Sequence, residues 1–370
     1  MSKEHIRFIS HDKEKKTFFR TVRKRVNAYF RENGLSPHAN GEMIAKTVIM
    51  LSIYILPFLS ILFLQPPFWA SLFLWSLMGI GVAGIGMCIM HDACHGAYSN
   101  KNWVNEVMGR SLNLAGGSTF NWKIQHNKLH HVYTNIIDLD EDVEDKGVVR
   151  LSPHTEVKSY HRTQWFHAFF FYGLLTLYWT LGKDFVQWIK YTRNGHNPYK
   201  GMRNVRTFLL ILLDKALYFT AIFFVPVYFF AIPFYQIVLG FLLMHSIAGL
   251  ILGVVFQLAH AVEGTEHPRP DDDGRIREAW AVHEMKTTAN FCRNNRFINW
   301  FVGGLNFQVE HHLFPTVCHV HYPQIAPIVK ETAEEYGIPY MEHLTLSAAI
   351  RSHMVTLKRF GLPDMEEAIG

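Results

Sequence analysis

Three short stretches of the 370-residue chain concentrate histidine at helical spacing: HDACH at 91–95, HNKLHH at 126–131 and QVEHH at 308–312. Side chains three or four positions apart share a helix face. His91 with His95, His126 with His130, and Gln308 with His311 and His312 therefore each present a set of ligand atoms to one side. His131 follows directly and can reach a second ion. Neutral imidazole suits iron, zinc or copper, and the set offers more ligands than one ion can use, so the count implies two metals. A single H-x-x-x-H is weak evidence, because a lone histidine is usually a surface or satisfied core residue. Three clusters together make that explanation poor.

A further histidine, His260 in QLAHAVE, ends an apolar run as HDACH ends an earlier one. Alone it would read as an ionisable residue snorkelling to the membrane interface. Beside three clusters it reads as an added ligand, completing a shell that Gln308 fills poorly or only through water. His154, His161, His167, His196, His319, His321, His343 and His353 have no matched partner and read as ordinary, and His283 is unassigned. Ligating histidines usually donate their second ring N–H to a carboxylate, which fixes the tautomer. Asp92, Asp138, Asp140, Asp142 and Glu310 flank the clusters and are the expected partners. For DLDEDVED at 138–145 the alternative is a solvated acidic loop.

Composition says where such ligands must be held. Aromatics reach 14%, with 29 Phe, while charged residues fall to 18%, below the roughly 25% of soluble proteins. That balance suggests a membrane protein, and a mean hydropathy of only +0.04 requires a large polar portion in water. Four runs approach the roughly 20 apolar residues of a membrane span: about 47–64, 68–90, 216–230 and 234–259. They form two hairpins joined by 65–67 and 231–233, connections that lack Lys and Arg, so the positive-inside rule places the polar portions in the cytosol. The weaker apolar stretches at 165–181 and 296–307 read as helices at the interface. The expected fold is an all-α integral membrane protein, four transmembrane helices in two hairpins plus a cytosolic helical cap that carries the histidines.

The expected organisation is a basic cytosolic N-terminus over 1–42, a membrane domain over 43–345 and a cytosolic C-terminal tail over 346–370. Residues 1–42 show no secretory signal peptide. Lys3, Arg7, Lys13, Lys15, Lys16, Arg20, Arg23, Lys24 and Arg25 read as an anchor to anionic headgroups, with no nucleic-acid role. Cys88, Cys94, Cys292 and Cys318 form no C-x-x-C pair, which fits a reducing compartment.

HDACH, HNKLHH followed by TNIIDLDEDVE, and NFQVEHHLFP together resemble the membrane fatty acid desaturase family across roughly 80–325, in order, spacing and the two intervening hairpins. Gln308 at the head of the third box, MKTTANF and HLFPTVCHVHYPQI resemble the front-end and related acyl-lipid branch. The resemblance implies a di-iron centre in the histidine boxes, O₂ as co-substrate and two electrons from outside. Many members of that branch carry a fused cytochrome b5 domain with an HPGG motif. This sequence contains none, so the implied donor is a separate cytochrome b5 or ferredoxin-type protein. The implied substrate is a fatty acyl chain on CoA or a membrane lipid. The implied location is the cytoplasmic membrane in a bacterium or the endoplasmic reticulum in a eukaryote. Trp122 and Trp300 are candidate tunnel residues; Lys123, Lys128, Lys286, Arg293 and Arg296 could bind a phosphate-bearing headgroup. A hydroxylase on the same scaffold is the alternative. A divalent-metal transporter is a remote one, since apart from His245 and a few hydroxyls the hairpins offer little polar path.

Overall fold

Segments too apolar to face water set the architecture. The computed structural model describes residues 6–143 and 147–363; Lys3, Glu144, Asp145 and the 364–370 part of the expected tail lie outside them. Four long apolar helices form at Gly41–Leu64, Phe68–Cys94, Met202–Phe230 and Phe234–His260. At 1.5 Å per residue the shortest spans about 36 Å, enough for a hydrocarbon layer of about 30 Å. Strand is confined, among the described residues, to two parallel pairs of two residues each. The protein is an all-α membrane protein. Its chain divides into two compact units: a membrane unit, Gly41–Ile124 with Phe169–Val254, and a cap unit, Met1–Asn40, Gln125–Ala168 and Val255–Gly370.

In the membrane unit, Ile44, Leu56, Phe63, Trp69, Phe73, Leu209, Leu213, Leu217 and Phe224 point outward and are exposed. So large an apolar surface is tolerable only against lipid. Gln65, at the turn of the first hairpin, donates its side-chain N–H to the Phe230 carbonyl at 2.9 Å, so the two short connections sit at the same end of the bundle. Small residues let the helices touch. A Cβ on Gly79 would lie 2.6 Å from the Met244 carbonyl, and one on Gly240 would strike the Trp75 ring.

The third helix begins at Met202 instead of near residue 216. Asp214 and Lys215 interrupt the apolar run, and folding satisfies both. Asp214 accepts from Asn113 at 2.6 Å. Lys215, 5% exposed, meets Asp184 at 2.7 Å and donates to the carbonyls of Gly116 and Trp179. Nearby, His245 bonds Tyr218 at 2.8 Å and Thr176 at 3.2 Å. Within 165–181 the chain forms the helices Gln164–Gly173 and Leu175–Tyr178.

The cap unit builds its core on the N-terminal helix Lys13–Glu32, whose first turn is capped by Asp12 accepting from the amides of Glu14 and Lys15. Phe18, Val22, Val26 and Phe30, at spacings of four, pack with Val282, Met285, Val309, Leu313, Ile325 and Val329. Part of the expected tail forms a helix. Leu346–Phe360, capped by Thr345, buries Ala349, His353, Thr356, Leu357 and Phe360. Apolar residues at helical spacing, without a long apolar run, are legible only as an amphipathic face. His353 bonds the Ala261 carbonyl at 2.7 Å and Ser352 accepts from the Glu263 amide at 2.9 Å, so this helix braces the chain just after His260.

Gly79→Val forces a branched side chain against a backbone carbonyl that cannot step aside. The expected loss is about 1–3 kcal/mol of stability, read as a lowered thermal midpoint of the purified protein in detergent.

Candidate metal centre

The first two histidine boxes stand on or beside helical turns wound differently from what simple spacing assumes. Ile85–Met90 is a π-turn leading into His91–Cys94. The second box occupies the π-helical Lys123–His130, continuing into His131–Tyr133. In a π-helix the backbone bonds run from i to i+5, and such turns frequently mark functional sites. Residues five apart then share a face, which brings the Nε2 atoms of His126 and His131 to 3.2 Å. The third box lies on the short helix Gln308–Leu313, whose second amide, on Val309, is received by the Asn290 side chain at 2.9 Å.

In the cap unit, ligand nitrogens of His130, His260 and His312 lie within 4.8 Å of one another, as do those of His131, His311 and His312; His126, His130 and Asp142 form a third such group. His260, outside all three boxes, has its ring 4.7 Å from that of His130 and 5.0 Å from that of His312. In the membrane unit the His91 and His95 rings are 4.8 Å apart, and Trp122 packs against them at 5.6 and 5.7 Å. Gln308 is buried one turn before His311 and His312.

The second nitrogen of four of these cap-unit histidines is held. His130 Nδ1 meets Asp140 at 2.9 Å, His312 Nδ1 meets Glu284 at 2.7 Å, His311 Nδ1 meets the Tyr322 hydroxyl at 3.2 Å and His260 Nδ1 faces the Thr287 carbonyl at 3.3 Å. Nε2 is thereby aimed inward. His130 Nε2 and His260 Nε2 are buried without a hydrogen-bond partner. Such an atom costs roughly 1–3 kcal/mol, a cost that a shared cation removes. The donors are imidazole, with a carboxylate in one group, which fits a first-row transition metal.

Of the expected carboxylates, Asp140 is fully buried and also accepts from the amides of Asn135 and Asp142. Burial alone would raise its pKa, but His130 and those two amides hold it below the usual carboxylate range. Asp142 lies 3.8 Å from His130 Nδ1 and receives the Gln125 amide. Asp92 Oδ1 is 3.7 Å from His91 Nδ1. Asp138 is exposed, at a left-handed φ of 67°, and stands in none of the ligand groups. Glu310 takes hydrogen bonds from Asn290 and Tyr340, at 2.9 and 2.8 Å, and none from a histidine; burial pushes its pKa up.

Glu284, Asn135 and Tyr322 escaped the sequence reading. Glu284, fully buried and with its pKa pushed well up by burial, sits on the helix Trp280–Thr287 between Val282 and Met285 of the core. A carboxylate on so apolar a face was the available signal. Asn135, at φ 60°, donates to the carbonyls of His260, Glu266 and Thr287 at 3.0, 3.1 and 3.3 Å, tying the second box to the end of the fourth long helix. His283 joins no ligand group among the described residues. Among the headgroup candidates, Lys123, Lys286 and Arg293 are engaged by Glu106, Glu278 and Glu342.

Residues 67–344 match the family profile described as fatty acid desaturase. The chain is 36% identical over 355 residues to the sn-1 linoleoyl-lipid 6-desaturase of Arthrospira platensis, covering 95% of both chains. It is 35% identical over 364 residues to the enzyme of that name from Synechocystis sp., covering 98% of this chain and 99% of the relative. It is 33% identical over 358 residues to the acyl-lipid (8-3)-desaturase of Physcomitrium patens, covering 95% of this chain and 73% of the relative. Together with the all-helical membrane fold, these matches define an integral membrane oxidoreductase. The chain belongs to the fatty acid desaturase family, and is a membrane fatty acyl desaturase.

Because Asp140 fixes the His130 ring, Asp140→Asn should weaken metal binding about 10–100-fold in competition with a chromogenic chelator. Asp138→Asn should leave it unchanged.

Proposed function

We propose that His91, His95, His126, His130, His131, His260, His311 and His312, with Gln308 as a weak or water-bridged ligand, hold two iron ions. The enzyme introduces a cis double bond into the acyl chain of a membrane lipid, with O₂ as co-substrate. The observation that carries this reading is the convergence of His130, His260 and His312 in a buried space with their outer nitrogens fixed. When bound, the irons supply the oxidising power that an unactivated methylene demands. The chain's own residues do the rest: Asp140, Glu284 and Tyr322 set ring orientation, and burial keeps water from the ligand nitrogens. Per turnover two hydrogens leave the acyl chain, and O₂ with two external electrons and two protons is consumed to give two waters. The lipid-acyl substrates in the relatives' names support a lipid-borne chain over a CoA ester. The electrons come from a separate carrier protein. The distribution of Lys and Arg supports an orientation with 65–67 and 231–233 outside and the histidine boxes in the cytosol.

Lipid mass spectrometry of a host expressing the chain and fed linoleate should reveal an acyl species with one added double bond. Unchanged lipids in protein shown to hold its metal would overturn the reading. Protein from its native host should carry about two irons per chain, since the ligands exceed one coordination sphere; stoichiometric zinc without iron contradicts this. His260→Ala should abolish product and lower bound iron while still inserting in the membrane, whereas Cys94→Ala, which alters a residue packed against Met90, Leu112 and Trp122, should keep substantial activity. Cysteine labelling from outside should reach residue 66 and spare residue 138.

A further inference from the structure

The N-terminal helix carries a second pattern that its packing does not use. Its apolar side, Phe18, Val22, Val26 and Phe30, is spent in the cap core. One flank is fixed by Thr21 bonding Tyr336 at 2.8 Å and by Arg25 gripping Glu335 with two bonds of 2.7 Å. On the other flank Lys15 lies 3.9 Å from Glu278. The remaining face presents Lys13, Lys16, Arg20, Arg23, Lys24 and Arg31, all exposed. No acidic residue occurs from 15 to 31; Glu14 and Glu32 mark the two ends, and Glu32 lies 3.8 Å from Arg31.

We infer that this basic stripe is the docking site for the electron donor, an acidic, soluble one-electron carrier protein. The inference rests on the reading above that electrons arrive from a separate protein. Charge complementarity identifies the partner, since a patch of one sign steers an oppositely charged protein and speeds encounter. A lipid surface fits less well. Helices that lie on membranes bury an apolar face in the acyl boundary, and this helix has already committed its apolar face to the protein.

The place is also the right one. Phe19, at the flank of the same helix, packs edge-to-face on Trp280 with ring centroids 5.4 Å apart, and the Trp280 indole N–H donates to the His131 carbonyl at 3.3 Å. Two aromatic rings and one hydrogen bond thus connect the stripe to a proposed metal ligand. Electron transfer through protein slows steeply with distance, so a short connection of this kind favours entry here. Each donor molecule is oxidised by one electron, and two docking events supply the pair that a turnover consumes.

The test uses the full chain in nanodiscs and, as probe, a plant-type [2Fe–2S] ferredoxin kept reduced by NADPH and its reductase. The triple variant Lys16→Glu, Arg20→Glu, Lys24→Glu should weaken ferredoxin binding by about tenfold or more, measured by biolayer interferometry, and wild-type binding should weaken as salt rises. Ferredoxin-driven product formation should fall with it. Product formation driven by dithionite and a small viologen mediator should stay at the wild-type level. Unchanged ferredoxin binding and turnover would overturn the proposal. So would a loss with both reductants that depends on anionic lipid in the nanodisc, which would assign the stripe to the membrane. If no product forms with either reductant, the desaturation reading fails while the binding comparison still decides the docking site.

Discussion

Crowding imidazoles into a buried space is the constraint on which the rest of the molecule depends. A ring that can turn presents either nitrogen, and a cluster of such rings has no defined ligand set. The cap unit removes that freedom one ring at a time, through Asp140 for His130, Glu284 for His312, Tyr322 for His311 and the Thr287 carbonyl for His260. Every one of these partners needs its own support. Glu284 requires the helix Trp280–Thr287 in the apolar core. His260 requires Asn135 on its carbonyl, and the chain after it requires the C-terminal helix against Ala261 and Glu263. Segments far apart in the sequence are thereby recruited to hold a few nitrogen atoms at rest.

The sequence exposes the candidate ligands and hides the residues that bond to them, for a physical reason. Candidate ligand pairs repeat at helical intervals and apolar spans repeat without interruption, so both are visible in a linear reading, and His260 is singled out by its place at the end of a span. A supporting residue is defined by a partner in another segment and carries no local period. Glu284 therefore went unseen, while Glu310, beside a box in sequence, takes its hydrogen bonds from Asn290 and Tyr340. The π-turns were equally invisible. Nothing in HNKLHH announces i to i+5 bonding, yet it is what sets His126 opposite His131.

The membrane unit shows the same division. Its hairpins and their shared end followed from apolar runs and tight connections. The start of the third helix did not, because Asp214 and Lys215 read as a boundary until Asn113 and Asp184 are seen to satisfy them. The C-terminal segment offers another case, the amphipathic helix Leu346–Phe360, which no long apolar run marks.

The buried pair of Lys215 and Asp184 bears on how the protein is made. A lysine near the middle of a spanning helix opposes insertion by about 2.5–3.5 kcal/mol, and Asp184 lies earlier in the chain, so it leaves the ribosome first. Asn121 donates to the Asp184 carbonyl and side chain, at 2.7 and 3.3 Å, and Trp179 donates to its carboxylate at 3.1 Å. A folded receiving site for the lysine can thus exist before the third helix is synthesised. The order of synthesis therefore favours the pair: Asp184 and the residues that embrace it are made before the lysine that needs them.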